Sequence, residues 1–134
     1  MSTFPSSATD SSIRPRILLV EDNDAAGRGL ARLLEACGFD VTVRADGASA
    51  LRALESPAHF DFLLTDLRLP DMDGRDIAQH ARSLVPTPRI ALITGWDLDD
   101  ELRDYTSMGI EWVFTKPLEI RDLIARLREP PKPR

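Results

Sequence analysis

The feature that most narrows the fold is a strict alternation of two hydrophobic patterns. Short apolar runs stand at Ile17-Leu18-Leu19-Val20, Val41-Thr42-Val43, Phe62-Leu63-Leu64, Ile90-Ala91-Leu92-Ile93 and Trp112-Val113-Phe114. Each is short enough for a strand, and several are continuous rather than alternating, as a parallel sheet covered on both faces requires. Between them the spacing is helical: Leu30, Leu33, Leu34 and Cys37; Leu51 and Leu54; Ile77, Ala81 and Leu84; Leu98, Leu102 and Tyr105; Ile120, Leu123, Ile124 and Leu127. Every such segment turns one apolar stripe toward a sheet. Asn23 and Asp97 suit N-caps, the acids from Asp97 to Glu101 suit a helix start, and Gly38 and Gly109 fall just past helix ends.

The pattern reads (βα)5. Such alternation implies right-handed crossovers and an α/β doubly wound, five-stranded parallel sheet, with ligands bound outside the carboxyl ends of the strands. A chain of 134 residues has room for one such domain with its own core. Residues 1–15, rich in Ser, Thr and Pro, read as a disordered tail; residues 16–128 form the domain, and residues 129–134, EPPKPR, a C-terminal tail or linker remnant.

A net charge of −5 argues against direct nucleic-acid binding, which needs clustered cations to displace phosphate counterions. The N-terminus lacks a basic start followed by an apolar stretch, and no apolar run approaches the roughly 18 residues of a membrane span. The lone Cys37 has no internal disulfide partner and reads as a small buried thiol in a reducing, cytoplasmic setting.

Chemistry is therefore expected just after each strand. The first run is followed by Glu21-Asp22-Asn23-Asp24, the third by Thr65-Asp66, the fourth by Thr94-Gly95 and the fifth by Thr115-Lys116-Pro117. An isolated acid there is more often a solvated loop residue or helix cap, but three converging carboxylates repel one another and need a cation. Mg²⁺ suits oxygen ligands and accepts one or two carboxylates plus phosphate oxygens, whereas no His or Cys cluster supports zinc. His59 and His80, without a neighbouring partner in sequence, read as surface or packing residues. Asp66, ending a central run, is the candidate nucleophile, with the Lys116 ammonium and the Thr94 hydroxyl to neutralise phosphoryl oxygens.

Glu21-Asp22, the D-x-x-x-P-x-x-x-G run from Asp66 through Pro70 to Gly74, Thr94 with the small Gly95, and Lys116-Pro117 together resemble the receiver domains of bacterial response regulators over about residues 16 to 128. The resemblance implies strand order 2-1-3-4-5. It also implies a phosphoryl group passed to Asp66 from a phosphohistidine of a sensor histidine kinase or phosphotransfer protein. Mg²⁺ would be held by Asp22, Asp66 and the Arg68 backbone carbonyl, with Glu21 acting through a metal-bound water. A cis peptide before Pro117 would aim Lys116.

Such a domain catalyses only its own phosphorylation and dephosphorylation and is not a turnover enzyme. It would switch the surface of the fourth helix, fifth strand and fifth helix for a downstream protein target, and family members often form homodimers through that face. One position departs: Val113 stands where many receivers carry a Tyr or Phe that swings inward, so Trp112 or a shift of the fourth helix would have to substitute. Trp96 is expected as a partly exposed ring at the mouth of the site rather than a packing aromatic. Two rivals follow from the same residues. One is a receiver-like binding module that signals without phosphorylation; the other is a Mg²⁺-dependent phosphohydrolase, disfavoured because Arg68 occupies the place of its general acid.

Overall fold

Both faces of each central apolar run are buried, which is why the runs are strands without polar alternation. The computed structural model describes residues 14–95 and 105–131. Its strands are β1 (Arg16–Val20), β2 (Asp40–Arg44), β3 (Phe62–Asp66), β4 (Arg89–Thr94) and β5 (Trp112–Thr115). They form one parallel sheet in the order β2-β1-β3-β4-β5. Four α-helices are described: α1 (Asp24–Ala36), α2 (Gly47–Glu55), α3 (Gly74–Arg82) and α4 (Ile120–Leu127). The expected topology is the one observed.

Successive side chains of a strand face opposite ways. Leu18 and Val20 of β1, Leu63 of β3 and Ile90 and Leu92 of β4 join Ala50, Leu54, Ile77 and Ala81 of α2 and α3 in one core. Ile17, Leu19, Phe62, Leu64, Ala91 and Ile93 face the other way, toward Leu34 of α1 and Leu123 and Leu127 of α4. Most of these residues are fully buried, the Leu, Ile, Val and Phe side chains each contributing about 1.5–3 kcal/mol of transfer free energy. Edge strand β2 is half-buried throughout, and its polar Asp40, Thr42 and Arg44 alternate with Val41 and Val43.

Helix ends follow the chain chemistry. Asn23 caps α1 by accepting from Ala26 N–H at 2.9 Å, and Gly38 beyond its other end has φ +100°. The stripe on α1 is rotated from the expected one: Gly27, Ala31 and Leu34 are buried, while Leu33 is 48 % exposed. Contacts with the domain begin before residue 16: Pro15 accepts from Asp40 N–H at 2.8 Å and the Arg14 guanidinium donates to the Glu35 and Gly38 carbonyls. The rest of the expected tails, residues 1–13 and 132–134, lies outside the described residues. So do Trp96, Asp97, Leu98 and Leu102 of the expected fourth helix; its last position, Tyr105, opens a 3₁₀ turn, Tyr105–Met108. No helix among the described residues is long and apolar enough to cross a membrane.

Candidate functional site

Parallel pairing fixes which side chains meet at the carboxyl edge. Val20 lies opposite Thr65, Asp66 opposite Ile93, and Thr94 opposite Thr115. The edge continues beyond the strands: Glu21 N–H donates to the Arg44 carbonyl at 3.0 Å, Leu67 N–H to Ile93 at 2.8 Å, and Lys116 N–H to Thr94 at 2.8 Å. Glu21, Asp66, Thr94 and Lys116 therefore share one end of the sheet, as expected. Ligand oxygens of Glu21, Asp22 and Asp66 all lie within 4.8 Å of one another, with Asp22 exposed and the other two buried.

Lys116 Nζ lies 3.0 Å from Glu21 Oε1 and 3.2 Å from Asp66 Oδ1. The second Glu21 oxygen accepts from Asn23 N–H at 3.0 Å, so both are engaged. Asp66 Oδ1 is buried and accepts no well-directed hydrogen bond, although the ammonium is near. A buried acceptor left in that state is costly and is what a bound cation would relieve.

The two carboxyls respond oppositely. Burial pushes Asp66 up to about 7, reinforced by the neighbouring Glu21, with Lys116 opposing. Burial also pushes Glu21 upward, but hydrogen bonds with Asp66, Asn23 N–H and Lys116 outweigh it and leave the group below its ordinary value. Without a metal the two carboxyls titrate as a coupled pair in which burial and mutual repulsion oppose full ionisation. Lys116 lies above its ordinary value: burial lowers it, but the bond to Glu21 and the Asp66 charge prevail. Divalent cation binding fits this set, since it supplies the charge that two adjacent ionised carboxylates lack.

The loop after Asp66 explains the run to Gly74. A Cβ on Gly74 would lie 2.2 Å from the Asp66 carbonyl oxygen, so only glycine lets α3 begin against the end of β3. Gly74 N–H donates to the Leu67 carbonyl at 2.7 Å, and Leu69 N–H to Met72 at 3.1 Å. Arg68 is exposed and forms an isolated bridge with Asp73, the N-cap of α3. Thr65, which the sequence places at the strand end without a role, donates its hydroxyl to the Asp66 carbonyl at 3.0 Å. Only its place beside Asp66 could have drawn attention to it.

Thr94 is buried at the end of β4, Gly95 is exposed, and the Lys116-Pro117 peptide is cis, as expected. Val113 is half-buried on the α2–α3 side of the sheet, packed with Tyr105 against that core. Trp112 points to the opposite face, where it lies under the Arg89 guanidinium at 4.8 Å and beside Phe62 at 6.3 Å. That burial on the far face denies Trp112 the role of an inward-swinging substitute for an aromatic at Val113.

Residues 17–128 match the family described as response regulator receiver domain. The chain is 36 % identical over 114 residues to the response regulator receiver protein CpdR of Brucella abortus, covering 85 % of this chain and 94 % of that protein. It is 37 % identical over 112 residues to the sensory transduction protein RegX3 of Mycolicibacterium smegmatis, covering 84 % of this chain but only 48 % of that relative's length. A CheY-like receiver structure from Methanospirillum hungatei superposes with a TM-score of 0.79 at 28 % identity, covering 86 % of this chain and 91 % of that one.

Proposed function

The chain belongs to the response regulator receiver family of two-component systems, and from that premise we propose that Asp66 is its phosphoryl acceptor and that Asp22, Asp66 and the Arg68 carbonyl hold Mg²⁺, with Glu21 reaching the ion through water. The observation that carries this reading is the buried, poorly satisfied Asp66 Oδ1, with two further carboxylates within reach and one ammonium at 3.2 Å. The water-mediated role for Glu21 is supported by its two oxygens, both already engaged by Lys116 and Asn23.

When bound, Mg²⁺ supplies positive charge that keeps Asp66 ionised and offsets the phosphoryl oxygens. An Asp66 carboxylate oxygen forms the new bond to phosphorus while the bond from phosphorus to the donor histidine nitrogen breaks, and the departing ring takes up one proton from solvent to leave as neutral imidazole on the partner. Lys116 then faces the added negative charge and Thr94 donates its hydroxyl to it. Receivers are signalling modules, and the chain's output is a changed surface near the fourth expected helix, β5 and α4, read by a downstream protein or a second copy. Residues 16–128 suffice as the working unit, with a cytoplasmic histidine kinase or phosphotransfer protein as donor.

A route for the donor lies beside the site. Leu30, exposed Leu33, Pro117 and Leu118 line a groove of about 240 Å³ that also contains Glu21 and Lys116. Transfer of labelled phosphate from a phosphorylated histidine donor tests the reading. Mg²⁺-dependent label on the wild type and none on Asp66→Asn is expected; label that survives Asp66→Asn would refute it.

A further inference from the structure

The tip of the loop that follows Asp66 is anchored to a helix that carries none of the site residues. Asp71 Oδ1 accepts from Gly47 N–H at 2.8 Å and Oδ2 from Ala48 N–H at 2.9 Å, at the N-terminus of α2. These two N–H groups lower the Asp71 carboxyl below its ordinary value. Next to it, Met72 is packed so closely on Gly47 that a Cβ there would meet Met72 Cγ at 2.3 Å. The same helix already has its own cap, Asp46, whose Oδ1 accepts from Ser49 N–H at 2.8 Å. Asp71 therefore does more than repeat a cap.

The loop's internal bonds define a small closed hairpin. Gly74 N–H to Leu67 closes its base, the Arg68 and Asp73 bridge its middle, and Leu69 N–H to Met72 its tip. None of these internal bonds fixes where the tip sits relative to the rest of the domain. The Asp71 carboxylate, with Met72 against Gly47, does. We infer that Asp71 is a positioning residue for the metal site: by clamping the loop tip to α2 it holds the Arg68 carbonyl at the ligand position. This rests on the reading that the Arg68 carbonyl joins Asp22 and Asp66 around Mg²⁺. Partners that orient metal ligands in this way typically change affinity by about 10- to 100-fold when removed.

The test measures Mg²⁺ binding alone, by titration of the backbone amide resonances of the full chain without any phosphoryl donor. Asp71→Ala removes both acceptors, and Asp71→Asn keeps an oxygen for one N–H. Asp46→Ala weakens the same helix end while leaving both Asp71 hydrogen bonds in place, and it controls for loss of stability. The expected result is Mg²⁺ binding weakened about tenfold in Asp71→Ala and less in Asp71→Asn, with Asp46→Ala within about twofold of wild type. The inference is overturned if Asp71→Ala binds within twofold of wild type, or if Asp46→Ala weakens binding equally. If the wild type shows no saturable Mg²⁺ binding, or binding that persists in Asp66→Asn, the underlying site reading fails along with the inference.

Discussion

Gly74→Ala is the substitution whose cost is most directly set by geometry. The added Cβ would meet the Asp66 carbonyl oxygen at 2.2 Å, the Asp66 carbonyl carbon at 3.1 Å and Leu67 Cα at 3.2 Å. All three are backbone atoms of a central strand end, so no side chain can swing aside. Restoring an ordinary carbon–oxygen separation of about 3.3–3.6 Å requires α3 to retreat by roughly 1 Å. A retreat of that size stretches the 2.7 Å bond from Gly74 N–H to Leu67 past useful length. Overpacking costs about 1–3 kcal/mol and the lost bond about 1, while the better helix propensity of Ala returns about 0.5–1.

The net destabilisation is about 1–3 kcal/mol, or a fall in melting temperature of about 4–12 °C for a domain of this size. Gly29→Ala provides the opposite sign, because a Cβ there meets nothing within 4 Å and Gly29 lies inside α1. That variant should gain about 0.5–1 kcal/mol. Thermal melts of the three proteins followed by circular dichroism measure both effects. Phosphorylation of Gly74→Ala at a temperature where it is folded should also slow about tenfold or more, since losing the Gly74–Leu67 bond opens the base of the loop that carries the Arg68 carbonyl. A Gly74→Ala protein as stable as Gly29→Ala would refute the packing argument outright.

Acid and metal dependence follow from the carboxyl pair. Because Asp66 is raised to about 7 in the folded chain, the native state holds a proton that the unfolded state releases near pH 4, so stability in EDTA should fall as pH rises through that window. Urea melts should show this slope flattened in Asp66→Asn and reduced by Mg²⁺; an identical slope in Asp66→Asn would place the titration elsewhere. Leu33→Asp, on the exposed flank of α1, should slow transfer from a protein histidine donor about tenfold while leaving labelling by a small acyl phosphate unchanged. Equal loss with both donors would show damage to the site instead of the docking surface.

Much of this architecture is legible in the sequence because burial on both faces writes itself as continuous apolar runs, and parallel pairing then places every strand end on one edge. Asp66, Thr94 and Lys116 were legible for that reason. The rotation of α1 was not, since small Gly27 and Ala31 take the buried positions that hydrophobic spacing assigns to Leu33. Nor was the anchoring role of Asp71, because an acid after a proline looks like any solvated loop residue until α2 is placed beside it. Trp112 and Val113 are neighbours in sequence but face opposite cores, a distinction that depends on strand register and not on residue type.

The central claim is that Asp66 accepts a phosphoryl group with the help of a divalent cation. Intact-mass measurement after incubation with acetyl phosphate addresses it most directly, using wild type with Mg²⁺, wild type with EDTA, and Asp66→Asn with Mg²⁺. The expected outcome is a mass increase of one phosphoryl group on the wild type with Mg²⁺ and on neither of the others. An unmodified wild type, or a modified Asp66→Asn, would contradict the claim.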